Sequence, residues 1–297
     1  MRPRARFDVP LPGGRALRLG RRTLVMGIVN VTPDSFADGG AWLDPARAVD
    51  HALEMEELGA DVIDVGGEST RPGAQPLPVE EELARIGPVV RALGARLRVP
   101  LSIDTSKAAV AEAALDEGAS IVNDISALSY DPALADVVAR RGAGVVLMHT
   151  RGRPRDMYRQ AEYGDVLAEV GRELADRLAA AVRAGVQAEC VLLDPGIGFG
   201  KRAEHSSMVM ARLHELSALG RPLLVGPSRK SFLDRAVGGR PPAGRELGTA
   251  AAVAACVFAG AHVVRVHGVA AMIDVVRVAD MLRRDAGLDC EAGPWTG

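Results

Sequence analysis

Aromatic side chains and an excess of charge are both scarce in this chain of 297 residues. Aromatic residues make up 3% of it, and its formal net charge is −2. Nucleic-acid-binding surfaces need a broad basic face or rows of stacking rings, so the composition argues against a nucleic-acid partner. With 48% hydrophobic residues, the chain can nevertheless bury a large core.

Cysteine is also rare, and long apolar runs are absent. Cys190, Cys256 and Cys290 are far apart and odd in number, which argues against a disulfide framework and suits a reducing compartment. The stretch most like a membrane span, 250–264, consists mainly of alanine and is better explained by a buried helix followed by a strand. The basic start of the chain lacks the apolar segment of a signal peptide. We therefore expect a cytoplasmic protein without a membrane partner.

Eight short apolar runs are present, and nearly every one stops on a polar residue. Leu24–Val29 ends at Asn30, and Val263–Val266 ends at His267. The other six runs lead to Glu68 with Thr70, Asp104, Asn123, His149, Asp194 and Lys230. Core packing does not require polar groups at one end only, so we predict that all eight ends converge on one site.

Helical patterns separate these runs, and their ends follow a repeated scheme. Gly59, Gly118, Gly142 and Gly260, each followed by alanine and an apolar run, are typical of helix C-caps that lead into buried strands. Asp44-Pro45 and Asp131-Pro132 predict helix starts, each with a capping side chain before a proline.

Alternating helices and buried strands predict a parallel sheet, and eight such units in roughly 250 residues are typical of a (β/α)8 TIM barrel. A doubly wound sheet is the alternative, but it gathers ligand groups at one switch point and would not need them from nearly every strand. We predict three parts of the chain. They are an N-terminal hairpin over 1–22 that covers the bottom of the barrel, a single barrel domain over 23–285 and a C-terminal tail over 286–297.

Three segments carry more chemistry than the fold requires. They read MGIVNVTPDSFADGG over 26–40, DVGGESTRPG over 64–73 and LDPGIGFGK over 193–201, and Ser228-Arg229-Lys230-Ser231 and Arg265-Val266-His267 follow them. In this order they resemble the dihydropteroate synthase family, whose members join 6-hydroxymethyl-7,8-dihydropterin diphosphate to p-aminobenzoate in folate biosynthesis. The resemblance covers nearly the whole chain.

A pterin presents a flat edge with an amino group, ring nitrogens and a carbonyl. A buried carboxylate can accept two parallel hydrogen bonds from the amino-pyrimidine edge, and Asp194 is the best candidate. Asp104 and Asn123 end neighbouring strands and are suited to other ring positions. Lys230 is expected to donate to the carbonyl or a ring nitrogen. The resemblance adds two pterin-binding residues, Met148 and Phe199.

A diphosphate needs several cationic or donor groups at once. Arg265 and His267 lie two residues apart on one strand and therefore point to the same face. The predicted diphosphate site consists of Asn30, Thr70, Arg265 and His267. The resemblance further implies a p-aminobenzoate pocket made of Thr70, Arg71, Pro72, Phe199, Lys230 and Ser231, at which sulfonamides should compete.

The diphosphate also implies Mg²⁺, because a hard cation with one or two protein oxygens and several waters suits such a group. Asn30 is the expected metal ligand by resemblance. The reaction needs no nucleophilic side chain; an SN1-like departure of diphosphate is expected, assisted by Asp104, Lys230 and Arg265. Family resemblance also implies a homodimer.

Two other functions remain open from the sequence. A methyltransferase that acts between methyltetrahydrofolate and a corrinoid protein shares the pterin residues, but it has no use for 64–73 or for Arg265 and His267 as a diphosphate site. A non-catalytic paralogue would keep the fold as a binding or scaffold protein. For His149, structural and functional roles are given equal weight.

Overall fold

The structure, a computed structural model, describes residues 3–32 and 44–289. An antiparallel hairpin of β1 (Phe7–Leu11) and β2 (Arg15–Leu19) comes first. Eight further strands follow: β3 (Leu24–Asn30), β4 (Val62–Gly66), β5 (Leu101–Asp104), β6 (Ile121–Asp124), β7 (Gly144–Met148), β8 (Val191–Asp194), β9 (Leu224–Val225) and β10 (Val263–Val266). All eight predicted apolar runs are thus strands.

These eight strands form a closed parallel barrel. Their order is β8-β7-β6-β5-β4-β3-β10-β9, every neighbouring pair is parallel, and a bridge between Leu193 and Leu223 joins β8 to the start of β9. The predicted TIM barrel is confirmed, and the doubly wound alternative is wrong.

Helices surround the barrel. They are α1 (Pro45–Glu57), α2 (Val79–Arg96), α3 (Ala108–Asp116), α4 (Ala133–Arg141), α5 (Val166–Arg183), α6 (Ala203–Ala211), α7 (Asp234–Val237), α8 (Glu246–Phe258) and α9 (Val269–Asp285). None of the described helices has the length and hydropathy that a membrane crossing requires.

Aspartates begin two of these helices as predicted from the sequence. The Asp44 carboxylate accepts a hydrogen bond from the amide of Ala46 at 3.0 Å. Asp131 accepts from the amide of Ala133 at 3.1 Å and from that of Ala108 at 2.8 Å, so one side chain satisfies the first amides of both α3 and α4. The predicted C-cap glycines Gly59, Gly118, Gly142 and Gly260 all have positive φ, the conformation that ends a helix most easily at glycine.

The hairpin closes the bottom of the barrel. Its buried residues Val9, Leu11, Leu17 and Leu19 pack against residues near the starts of the barrel strands, among them Leu24, Val62, Ile121 and Val263. Because parallel strands all start at the same end, the hairpin covers the end opposite the predicted site. Of the sequence-based predictions, residues 33–40 of the first segment, Cys290 and the tail beyond it lie outside the described residues; the domain boundaries stay a prediction.

Candidate active site

The carboxyl ends of the barrel strands bring the predicted site residues to one end of the molecule. At or next to strand ends lie Asn30, Asp104, Asn123, Met148, Asp194, Arg265 and His267. On the loops that follow β4, β8 and β9 lie Thr70, Arg71, Pro72, Phe199, Lys230 and Ser231. This is the end at which loops of a TIM barrel build active sites.

A network of buried polar side chains centred on Asp64 joins four strands. Arg265 donates from Nε to Asp64 Oδ2 at 2.6 Å and from Nη2 to Asp104 Oδ2 at 2.7 Å. Asn123 donates from Nδ2 to the same Asp64 oxygen at 2.9 Å. The second oxygen, Asp64 Oδ1, is buried and has no hydrogen-bond partner within the described residues, so it remains an acceptor for a ligand donor.

Burial and neighbouring charges shift the pKa values of Arg265 and Asp104 within this network. Burial lowers the pKa of Arg265, but the carboxylates of Asp64 and Asp104 outweigh it and raise that pKa above its ordinary value. Burial also raises the pKa of Asp104 to about 7, although Arg265 opposes the shift. Arg265 is therefore a fixed cation, whereas Asp104 is able to exchange a proton near neutral pH.

Asp194 and Lys230 are two further charged groups of the site, and each influences the pKa of the other electrostatically. Asp194 Oδ1 accepts from the Gly196 amide at 2.7 Å, and burial raises its pKa against the influence of Lys230. Burial lowers the pKa of Lys230 to about 8, with Asp194 opposing the shift. The ammonium lies 4.5 Å from the centre of the Phe199 ring and donates to the Ile197 carbonyl, so ring and cation are held together.

The region around His267 is strongly cationic. His267 Nδ1 lies 2.9 Å from the Ser228 hydroxyl, which also accepts from the His267 amide at 3.2 Å. Burial, followed by repulsion from Arg265, Arg229, Lys230 and Arg71, lowers the pKa of His267 to about 3. A neutral imidazole among so many cations marks a place where an anion is electrostatically favoured.

Known proteins are similar to this chain in sequence and in fold. Residues 26–267 match the pterin binding enzyme family. The chain belongs to this family. The dihydropteroate synthase of Synechocystis sp. is 45% identical over 279 residues, which cover 94% of this chain and 96% of that protein.

Solved structures of family members agree with the sequence comparison. The dihydropteroate synthase of Xanthomonas albilineans with 4-aminobenzoic acid superposes with a TM-score of 0.85 at 44% identity, covering 93% of this chain and 98% of that one. The Yersinia pestis dihydropteroate synthase with a sulfonamide drug gives a TM-score of 0.87 at 40% identity, covering 94% and 100%.

In this member of the pterin-binding family, a cavity of about 290 Å³ adjoins the strand ends. Thr70 and Asp104 line it together with Lys107, Tyr130 and Arg153. Lys107 binds both Glu68, on the loop after β4, and the fully buried Glu82 of α2. The same loop donates from the Gly73 amide to the Pro154 carbonyl at 3.1 Å. The segment that contains Thr70 is therefore held at both ends.

Two predicted residues of this loop are not joined to the rest of their set. Arg71 and Pro72 are exposed, as is Ser231 on the loop after β9, and no hydrogen bond among the described residues connects them with Phe199 or Lys230. The predicted p-aminobenzoate set is thus spread over three loops, of which only the Phe199–Lys230 contact is formed.

Sequence reasoning missed Asp64 and Ser228 as site residues. Asp64 begins the quoted segment 64–73 and lies inside the apolar run 62–65, where a single carboxylate in a buried run is itself a signal. Ser228 stands in a quoted motif, but its contact with His267 crosses from β10 to the loop after β9. Contacts between strands are not encoded by spacing along the chain.

A metal site of several carboxylates is not present in the described residues, where no group of three His, Cys, Asp or Glu side chains is placed to hold an ion. The half-buried amide of Asn30 ends β3 at the site. One amide oxygen suits Mg²⁺, which commonly keeps several waters and takes further oxygens from a bound phosphate. The donor set therefore fits magnesium that arrives with the diphosphate, and it does not fit a resident transition metal.

Proposed function

We infer that this chain is a dihydropteroate synthase. It joins 6-hydroxymethyl-7,8-dihydropterin diphosphate to p-aminobenzoate and releases 7,8-dihydropteroate and diphosphate. Family membership gives the reaction class. The observation that carries the inference is the hydrogen-bonded set of Asp64, Asp104, Asn123 and Arg265 at the strand ends, beside the Asp194–Lys230 pair and the cationic region around His267.

We propose that the flat pterin binds within the buried polar set. Asp194 accepts from the amino-pyrimidine edge, Asn123 and Asp104 bind other ring positions, and Lys230 donates to the carbonyl or a ring nitrogen. Met148 and Phe199 pack against the ring. Asp64 Oδ1 is a further acceptor, and its hydrogen bonds orient both Asn123 and Arg265.

The diphosphate lies, in this proposal, against Arg265, His267, Asn30 and Thr70. The bond between the pterin methylene carbon and the diphosphate oxygen breaks first, and the oxygen keeps the electron pair. The dihydropterin ring stabilises the positive charge left on the methylene. The p-aminobenzoate nitrogen then attacks that carbon and loses a proton, so the protein supplies no nucleophile.

Positioning is the main contribution of the protein to such a reaction. Holding two reactants in the correct geometry can supply up to about 7–11 kcal/mol of the barrier. Fixed cations beside the leaving anion add several more, because they need no reorganisation as charge develops. We propose that Phe199, Lys230, Ser231 and the segment Thr70, Arg71 and Pro72 place the p-aminobenzoate.

Magnesium, the homodimer and the cytoplasmic location are further proposals. Mg²⁺ would neutralise charge on the departing diphosphate, with the Asn30 amide as its protein ligand. The exposed apolar residues Val278, Met281 and Leu282 of α9 support a dimer through the outer helices. The free buried thiols of Cys190 and Cys256 suit the cytoplasm.

The decisive experiment measures diphosphate release by the purified protein with and without p-aminobenzoate. Release over many turnovers that depends on p-aminobenzoate and is inhibited competitively by a sulfonamide is expected. A methyltransferase or a non-catalytic paralogue releases no diphosphate. The absence of diphosphate release by folded protein assayed with added Mg²⁺ would therefore overturn the inference.

A further inference from the structure

The loop between β8 and α6 has one internal backbone hydrogen bond, from the Phe199 amide to the Gly196 carbonyl at 3.0 Å, and is otherwise held by side chains. Lys201 Nζ donates to the carbonyls of Gly196 and Phe199, at 3.2 and 3.1 Å. Tyr158 Oη donates to the Gly198 carbonyl at 3.3 Å, and Tyr163 Oη donates to the Gly200 carbonyl at 2.8 Å. With Lys230 bound to the Ile197 carbonyl, five consecutive carbonyls each have a side-chain donor.

The backbone conformation explains why this loop needs outside support. Gly196, Gly198 and Gly200 have φ values of 69°, 79° and 55°, in the left-handed region that glycine adopts without steric cost. A Cβ at Gly196 would lie 1.9 Å from the His149 carbonyl oxygen. The loop therefore packs closely against the end of β7, and its shape depends on the position and contacts of His149.

Lys201 is the innermost of these supports. It is 1% exposed, and its ammonium lies 2.7 Å from His149 Nδ1 and 3.3 Å from the His149 carbonyl. Burial lowers the pKa of Lys201 to about 7. Its acceptors are three carbonyls and one imidazole nitrogen, and no carboxylate of the described chain pairs with it, so each acceptor matters for keeping the side chain buried.

His149 connects Lys201 to α5. To accept from Lys201, Nδ1 must carry no proton, which places the ring hydrogen on Nε2. Nε2 lies 2.9 Å from Glu173 Oε2. Arg151 binds Glu173 and, at 2.6 Å, Glu169, and its guanidinium stacks 4.0 Å from the Tyr163 ring centre. The imidazole is thus fixed in one orientation and one tautomer.

We propose that His149 and Lys201 are positioning residues for p-aminobenzoate. Together they hold the loop 196–200 so that the Phe199 ring and the Lys230 ammonium stay in contact, and they touch no substrate themselves. The proposal rests on the proposed function, because it assigns the p-aminobenzoate side of the same site. It gives His149 a role that its position in the sequence left open.

Two substitutions at His149 separate the two contacts of the imidazole. His149→Asn keeps an acceptor near the position of Nδ1 for Lys201 and loses the contact with Glu173. His149→Gln keeps a donor near the position of Nε2 for Glu173 and loses the acceptor for Lys201. The pair is matched in polarity, so a larger loss in His149→Gln than in His149→Asn reports on the Lys201 contact, and the reverse order reports on the Glu173 contact.

We expect His149→Gln to raise the KM for p-aminobenzoate about tenfold, a change that corresponds to one lost hydrogen bond. The Kd for a pterin should rise less than this KM, by no more than about threefold, because Asp194 and Asn123 keep their positions, and His149→Asn should stay within about threefold of the wild type in both constants. Equal effects of the two variants on KM, kcat and thermal unfolding would show a merely structural residue and overturn the proposal.

A spectroscopic test does not depend on turnover. The chain has five phenylalanines, so the Phe199 ring can be assigned in a ¹³C-phenylalanine spectrum with Phe199→Leu as the reference. The Phe199 signal should move in His149→Gln and stay in place in His149→Asn, and ¹⁵N shifts should show an unprotonated Nδ1 in the wild type. A protonated Nδ1, or a Phe199 signal that is unchanged in both variants, would contradict the proposal. This test holds even if the wild type has no synthase activity.

Discussion

Both ends of the barrel contain buried charged residues, but these residues differ in how fully they are hydrogen-bonded. At the bottom, the buried Arg4 donates to Asp280 at 2.8 Å and to Asp289 at 2.6 Å, and Asp280 also binds Thr23. At the top, Asp64 keeps one buried oxygen without a partner in the described structure. Polar groups at the bottom complete one another, whereas those at the top leave hydrogen-bonding capacity for a ligand.

The two ends of the barrel also differ in backbone strain. The non-glycine residues with positive φ in the described ranges are Ala127, Leu128 and Arg229, and all three lie on loops that follow carboxyl ends of strands. Such conformations cost of order 1–2 kcal/mol per residue. Mutually satisfied ion pairs thus lie at the bottom, and the strained residues of the described chain lie at the open top, as expected where a site must be preorganised.

The largest effect on stability is expected from opening the network at the bottom. Arg4→Met leaves the buried Asp280 carboxylate without its cation, although Asp289 keeps its pairing with Arg283, and breaking such a buried ion pair costs about 3–5 kcal/mol. The free energy of unfolding in urea should fall by that amount, while kcat/KM stays within about twofold of the wild type. Arg6→Met, at an exposed neighbouring position, is the control. A large loss of activity in Arg4→Met would contradict the claim that residues at the bottom serve stability alone.

The matching change at the top should affect activity instead. Asp64→Asn weakens the charge-assisted contacts with Arg265 and Asn123, and we expect kcat/KM to fall about 100-fold, equivalent to roughly 2.7 kcal/mol. Asp61→Asn changes the same type of residue just before β4, where it binds Arg22 at the bottom. Diphosphate release should distinguish the two, and equal activities would contradict the role assigned to Asp64.

Acid should weaken the bottom through His262. This histidine accepts from the Leu223 amide at 3.1 Å and lies 3.1 Å from the Ala5 carbonyl, and burial lowers its pKa to about 4. Between pH 6.5 and 4 the unfolded chain binds more protons, so this contribution to stability is complete above pH 6.5 and is lost as the pH falls. From pH 7 to pH 5 the wild type should lose about 2 kcal/mol more than His262→Asn; parallel urea-unfolding curves would contradict this.

The smallest effect tests the strain at the top. Ala127 has a φ of 50°, so Ala127→Gly should raise the free energy of unfolding by about 1 kcal/mol. Ala179→Gly, at an exposed position inside α5, should lower it by about 1 kcal/mol. Thermal and urea unfolding measure both, and destabilisation by both glycines would show that Ala127 is not strained.

The sequence predicted what repeats along the chain. Apolar runs that end on Asn30, Asp104 or Asp194, each preceded by a helix or by the hairpin, were sufficient for the barrel and for the end at which the site lies, because parallel strands must align their carboxyl ends. The motifs were sufficient for the family, since their order and spacing are seldom shared by chance.

What the sequence could not predict depends on contacts between distant strands. Asp64 is linked to Arg265, 201 residues away, and His149 to Lys201, 52 residues away. Each appears in the sequence as one polar residue in or after an apolar run. Only the closure of the barrel decides that Asp64 is shared by two partners and that Lys201 points toward His149 rather than toward a substrate.

A crystal structure with a bound pterin diphosphate analogue tests the central claim most directly. The pterin ring should lie against Asn123 and Asp194, with its phosphorylated end between Arg265 and His267. A ligand bound elsewhere, with these four side chains in the same contacts as in the free protein, would contradict the assignment of the open end of the barrel as the site of reaction.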